Sequence, residues 1–209
     1  MTIKLYGSSD SGNAMKPRWV MERLGIPFEW IETNAFNGET RTPEFLKLNP
    51  AGQVPTVVLE DGRTLAQSNA IMLHLAEGSD LIPRDPYQRA KMLEWMFWEQ
   101  NSHEIYVAVR IARLFYVKMR EEELDPALLT RGKAALARMD QQLAETPYLV
   151  GAVLTLADIC LLAYTRKAEL GGFDLASYPS VQAWIARMES ELNLPAFPHP
   201  ALSEGTAQV

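Results

Sequence analysis

At 209 residues, 47% hydrophobic and 22% charged, the chain has the make-up of an ordinary globular protein, long enough for one large or two small cores. A formal net charge of −6 argues against nucleic acid as a partner, and no apolar run is long enough to cross a bilayer. Cys160 is the single cysteine, which excludes an intrachain disulfide, a paired redox motif and a cysteine-rich metal site. His74, His103 and His199 lack zinc-ligand spacing, so no metal is expected. No signal-like segment precedes the first strand, and a cytoplasmic location is the default expectation.

Ile3-Lys4-Leu5-Tyr6 reads as a buried strand, followed by the loop Gly7-Ser8-Ser9-Asp10-Ser11-Gly12-Asn13. Met15, Trp19, Val20, Met21 and Leu24 mark a helix that Gly25 and Pro27 stop, and Phe28–Glu32 is the next strand. Pro17 is awkward in that helix, because its ring opposes the carbonyl of Asn13; the regular helix should begin later, or its first turn should be open. The β-α-β start implies a right-handed crossover between parallel strands. A polar stretch with a short helix near Pro43-Glu44-Phe45-Leu46 leads to Asn49-Pro50-Ala51-Gly52-Gln53-Val54-Pro55.

Thr56-Val57-Val58-Leu59 and Thr64-Leu65-Ala66 then form a hairpin turned at Asp61-Gly62. Ser68 is placed to cap a helix carrying Ile71, Met72, Leu75 and Ala76 on one stripe, with Gly78 at its end. Two features of this stretch suit a ligand. A cis Val54-Pro55 bond would turn backbone groups of Val54 towards an extended peptide-like molecule, and Ser68 offers a hydroxyl and amides at a helix start to a carboxylate. A trans proline entering a strand and a plain capping serine are the simpler alternatives.

After a linker, Asp85-Pro86-Tyr87-Gln88 opens a long helical pattern that no glycine or proline interrupts until about Glu123. Leu93, Met96, Phe97, Val107, Ala108, Ile111 and Leu114 form its core stripe. Asp125-Pro126 starts a further helix with Leu129, Leu136, Met139 and Leu143, ended by Thr146-Pro147. Thr155 and Asp158 stand as cap and third helical residue of the next, a capping box with Asp in place of Glu, and Leu154 and Ile159 hold the staple positions. Cys160 reads as an inert core thiol. Pro179 opens a last helix, and the proline-rich tail after Pro195 should be irregular.

The motifs Asn49-Pro50-Ala51-Gly52-Gln53-Val54-Pro55 and Gln67-Ser68 together resemble the glutathione-binding half of the cytosolic glutathione S-transferase family. The box at Thr155–Asp158 resembles that family's capping motif at its central buried helix. The resemblance implies an α/β plus all-α fold: a thioredoxin-like domain over residues 1–78, a linker and helix start over 79–88, and an all-helical domain over 89–209. It implies glutathione as co-substrate, a homodimer, and an electrophile pocket between the domains. Gln53, Val54, Gln67 and Ser68 would hold glutathione.

Glutathione conjugation needs a thiol of pKa near 8.5 to become thiolate, through a hydrogen-bond donor and a positive field. The family keeps the donor in the loop after the first strand. Ser11-Gly12-Asn13 resembles the serine-containing segment of bacterial and theta-like members, so Ser11 leads, with Ser9 second; Tyr6 lies too early, in the strand. Ser11-x-Asn13-x-x-Lys16 also resembles the nu-like pattern linked to glutathione-dependent disulfide reduction, which makes Asn13 a third candidate. Lys16 and Arg41 are candidate partners of the glycyl carboxylate. Glu99, His103, Tyr106, Arg110 and Arg113 recur at three- and four-residue steps on one helix face, and His103, Tyr106 and Arg110 are the candidates for the second-substrate pocket; an ordinary solvated face is the alternative. The expected activity is attack of glutathione thiolate on an electrophilic small molecule. The rivals are a glutathione-dependent disulfide or peroxide reductase, and a non-catalytic binding module.

Overall fold

The computed structural model describes residues 2–197; His199 and the tail expected to be irregular lie, beyond Phe197, outside the described residues. The chain divides into two compact units, one of residues up to Met96 with Leu154–Ala163, the other of Phe97–Val153 with the residues from Tyr164 onward. The boundary thus falls inside a helix rather than in the expected linker, and a central segment of the C-terminal half packs with the first unit.

In the first unit, β1 (Ile3–Gly7), β2 (Phe28–Glu32), β3 (Thr56–Val58) and β4 (Thr64–Ala66) form one sheet in the order β2-β1-β3-β4. β1 and β2 run parallel, with Leu5 opposite Trp30, and the other two pairings are antiparallel. The parallel pair is joined by α1 (Gly12–Leu24), as a crossover connection requires. α2 (Pro43–Leu48) and α3 (Ser68–Leu75) complete the thioredoxin-like arrangement. Leu5, Met21, Val57 and Ile71 are fully buried at its centre, one residue from each of two strands and two helices.

Gly25 ends α1 with φ +65, and Ile26 N donates to Met21 O at 2.9 Å, the left-handed stop that glycine permits. α1 runs unbroken through Pro17, contrary to both expectations. Pro17 has no N–H to give to the Asn13 carbonyl, so α1 forgoes that bond in its second turn. The hairpin closes through Glu60-Asp61-Gly62, one residue more than the expected Asp61-Gly62 pair: Leu59 N donates to Arg63 O at 2.8 Å and Gly62 N to Leu59 O at 2.9 Å.

Helix α7 (Leu156–Thr165) begins in this unit, and its box forms with one change. Thr155 N and Thr155 Oγ1 both donate to Asp158 Oδ2, at 3.0 and 3.2 Å, while Ala157 N donates to Thr155 Oγ1. The threonine thus serves the second helical amide rather than the third.

α4 (Pro86–Trp98) reaches from the first unit into the second. The long helix expected here is not a uniform α-helix. It widens into π turns at Glu99–His103 and Ala112–Tyr116, on either side of α5 (Glu104–Ile111). Each π turn absorbs an extra residue, which rotates everything beyond it by roughly 100° against a continuous α-helix. The core stripe largely survives, with Met96, Val107, Ala108 and Ile111 buried and Phe97 67% exposed, whereas Glu99, His103 and Arg110 of the second stripe are buried.

The rest of the second unit is α6 (Pro126–Glu145) and α8 (Pro179–Glu191), with short 3-10 turns between. Asp125 caps α6 through Ala127 N at 2.8 Å. Gly132 of α6 lies against the ring of the buried Phe173, leaving no room for a Cβ.

Candidate functional site

The loop after β1 is gripped from the end of β2. Thr33 N donates to Gly7 O at 2.7 Å, carrying the strand pairing to the loop. A Cβ on Gly7 would lie 2.6 Å from the Trp30 ring and 2.7 Å from Ala14, so only glycine lets strand, ring and helix meet there. Glu32 then receives Ser9 N at 2.9 Å on one carboxylate oxygen, and Ser9 Oγ and Trp30 Nε1 at 2.8 Å each on the other. Slight burial pushes the Glu32 carboxyl up, but the bonds from Ser9, Trp30 and Ser8 outweigh it and hold its pKa below the ordinary value.

The four polar candidates at the helix starts occupy distinct positions. Ser11 is the N-cap of α1, accepting Ala14 N at 3.3 Å, which leaves the hydroxyl proton to be given elsewhere. Asn13, in the first turn, accepts Lys16 Nζ at 2.8 Å and Ser68 Oγ at 3.1 Å on the same oxygen. Lysine can only donate, so this contact fixes the amide with Oδ1 towards Lys16 and Nδ2 away from it. Lys16 is fully buried, not on a solvated helix face. Asn13 therefore ties the start of α1 to the start of α3.

Ser68 differs from its expected role. It is the first residue of α3 rather than its cap, and its hydroxyl turns to Asn13 instead of to the helix amides. Gln67 occupies the cap position with no side-chain capping bond, at φ +72. A non-glycine residue held there costs on the order of 1–3 kcal/mol, a kind of strain that concentrates at ligand sites.

The Val54–Pro55 bond is cis. Its loop is braced by Asn49, whose Nδ2 donates to Gln53 O at 2.9 Å and Thr56 Oγ1 at 3.1 Å and whose Oδ1 accepts Ala51 N at 3.1 Å. Arg41 Nη1 donates to Ala51 O at 3.2 Å and lies against Gly52, whose φ of +61 and missing Cβ admit the guanidinium. The Gln53 side chain is exposed and Val54 half-buried. Tyr6 packs edge-on against Phe45, 6.0 Å between centroids, in a packing role.

Of the residues expected to line a second-substrate pocket, two are buried and one is half-buried. His103 is fully buried with Nε2 3.0 Å from Thr165 Oγ1, and Arg110 is 2% exposed, giving Nε to Gly171 O at 2.6 Å and a second nitrogen to Glu121. Burial and these partners make both internal supports of the helical unit. Tyr106 is half-buried and accepts Arg131 Nη1 at 2.7 Å. Among the described residues no group of three or more His, Cys, Asp and Glu could hold a metal ion, and no helix is long and apolar enough to cross a membrane.

The chain matches two family models, "Glutathione S-transferase, N-terminal domain" over residues 10–77 and "Glutathione S-transferase, C-terminal domain" over residues 105–191. A glutathione S-transferase from Pseudomonas fluorescens [Pf-5] shares its structure with a TM-score of 0.90 and 43% identity, covering 95% of this chain and 100% of that one. The chain belongs to the glutathione S-transferase family. A second transferase structure, from Xanthobacter autotrophicus Py2, gives 0.84 and 42%, covering 97% and 99% of the two chains. Glutathione S-transferase D7 of Drosophila melanogaster is 28% identical over 189 residues, 88% of this chain and 82% of its own. The chain is a glutathione transferase enzyme of thioredoxin-like plus helical build.

Two supports of the candidate site carry no signal in the sequence. Glu32 lies 23 residues from Ser9, beyond any local pattern. Asn49 belongs to the Asn49–Pro55 motif, yet its bracing role shows only once Gln53 and Thr56 fold back on it.

Proposed function

We propose that this transferase binds glutathione in its first unit and presents the thiolate to an electrophilic small molecule. The observation that carries this is the junction of Ser11, Asn13, Lys16 and Ser68 at the starts of α1 and α3. Helix starts and a lysine make that corner attractive to anions. Gln67 and Ser68 would take the γ-glutamyl end, and the backbone of Val54, presented by the braced loop, would pair with the cysteinyl part beside Gln53. Arg41, exposed next to that loop, suits the glycyl carboxylate. Lys16 is better placed to hold Asn13 than to reach that carboxylate.

Ser11 is the leading donor to the sulfur and Asn13 the second. In the reaction the thiol proton leaves to solvent, the sulfur lone pair forms the bond to the electrophilic atom, and the leaving group departs with its electron pair. We place the enzyme in the cytoplasm as a homodimer, on its family membership. A disulfide or peroxide reductase is the second reading, favoured by one observation: Asn13 and Lys16, the pair shared with the nu-like pattern, are bonded as a unit at 2.8 Å. A thioether from an aromatic halide supports conjugation; oxidised glutathione from a disulfide supports reduction; neither product would leave a binding module.

The site assignment is tested by ultraviolet titration of bound thiolate beside pH–rate profiles. Ser11→Ala should raise the pKa of bound glutathione towards its free value and cost on the order of 10²–10³ in rate at neutral pH, as for loss of one oxyanion donor. Affinity for glutathione should change far less. An unchanged thiolate pKa in Ser11→Ala, with a large rise in Asn13→Ala, would transfer the role to Asn13.

A further inference from the structure

Ser11 N donates to Ser8 O at 3.0 Å and Asp10 N to Ser8 Oγ at 3.3 Å, which closes residues 8–11 on themselves. Glu32 reaches this turn from the end of β2 and holds Ser9 by both its N–H and its hydroxyl. Glu32 is itself fixed: it ends β2, opposite Gly7, and Trp30 Nε1 occupies one of its oxygens at 2.8 Å. Trp30 in turn lies against Gly7 and under the Arg18 guanidinium, 5.0 Å from the ring centre.

We propose that Glu32 is a positioning residue for thiolate formation: by clamping Ser9 it sets the turn that places Ser11 at the start of α1. This rests on the proposed function above. Glu32 does not touch the thiol on this view; it acts through the backbone two residues ahead of Ser11. A two-point grip on one residue fixes both where the turn sits and how it is rotated, which a single bond could not. The hydrogen bonds that lower the Glu32 pKa also keep it ionised, and so an acceptor, at neutral pH. Of the other charges around it, Glu39 feels Glu32 as a like charge, and Arg18, over Trp30, is paired with Glu22.

The sign of the effect separates positioning from simple charge. A carboxylate near a thiolate disfavours it, so removing Glu32 for its charge alone would lower the pKa of bound glutathione. Losing a positioning residue would raise it. The test compares wild type, Glu32→Ala, Glu32→Gln and Ser9→Ala by ultraviolet titration with glutathione, alongside kcat, KM for glutathione and urea unfolding.

Glu32→Ala should raise the thiolate pKa by about one unit, which is tenfold less thiolate at neutral pH, and lower kcat to match. KM for glutathione should move less than about threefold, because Val54, Gln67 and Ser68 are untouched. Glu32→Gln keeps one acceptor oxygen and should recover part of the loss. Ser9→Ala removes one point of the grip and should give a smaller rise, and it keeps the test decisive should Glu32→Ala fail to fold. In a Ser11→Ala background, Glu32→Ala should add nothing further. A thiolate pKa that falls or stays put in both Glu32→Ala and Ser9→Ala overturns the inference. A wild type that binds glutathione with no thiolate at neutral pH overturns instead the reading on which it rests.

Discussion

Replacing Thr155 by alanine should cost about 2–3 kcal/mol, more than an ordinary cap, because the box is buried. Thr155 and Asp158 are both fully buried, and Thr155 Oγ1 makes two bonds, accepting Ala157 N at 3.3 Å and donating to Asp158 Oδ2 at 3.2 Å. Loss of an N-cap alone is worth about 0.5–2 kcal/mol. Alanine also takes a donor from a carboxylate that lies away from water, and losing such a bond costs about 1–3 kcal/mol, partly overlapping the first figure. The bond from Thr155 N to Asp158 Oδ2, at 3.0 Å, survives and keeps the helix start together. Thr155→Ser is the control: it keeps the hydroxyl and loses one methyl, about 0.8 kcal/mol. Urea unfolding should show a lower midpoint with the slope unchanged. Glutathione affinity of the folded protein should hold, since the box lies on α7 and the proposed ligand residues lie elsewhere. A loss below about 0.5 kcal/mol, or equal losses in the serine and alanine variants, would refute the capping argument.

Asn13→Asp should leave stability near wild type, because the carboxylate still accepts Lys16 Nζ and Ser68 Oγ, yet it should raise the pKa of bound glutathione by about 1–3 units through a new like charge; ultraviolet titration reads the shift, and an unchanged thiolate pKa would mean that Asn13 lies away from the sulfur. Acid should erase the advantage of Glu32: its folded pKa lies below its unfolded one, so its contribution is complete above the ordinary carboxylate value and is lost as pH falls through the folded value. Urea midpoints of wild type and Glu32→Gln, taken between about pH 3 and pH 7, should therefore converge at the acid end, and a gap that widens there would contradict this.

What could be read from the sequence was what is written locally. The capping box needs residues only three apart, the hairpin an Asp-Gly pair near its tip, and the buried strands a run of apolar side chains; all three form, the hairpin with one more loop residue than the pair. The α-period also extends by default through any stretch without glycine or proline, and there it failed. Nothing in Glu99–His103 announces a π turn, and the stripe expected at a pocket or on a solvated face instead has His103 and Arg110 buried. Ser68 was misread for a different reason. As a helix start it looks like a cap, and only the approach of Asn13, 55 residues away, redirects its hydroxyl.

The same distinction sorts the three serines of the first loop, which as letters are interchangeable hydroxyls. Ser9 has its proton committed to Glu32, at 2.8 Å, and that carboxylate is the wrong neighbour for a thiolate. Two unit charges 4 Å apart repel by about 1 kcal/mol in water and about 4 kcal/mol at an effective dielectric near 20, so a sulfur bound at Ser9 would gain one hydrogen bond and lose as much to repulsion. Ser8 is 8% exposed and accepts Asp10 N within the turn. Ser11 accepts its one bond from the α1 backbone, keeps its proton to give, and sits where the helix start favours negative charge. Glu32 thus does two things at once: it disqualifies the serine it holds, and by holding it supports the serine two residues on.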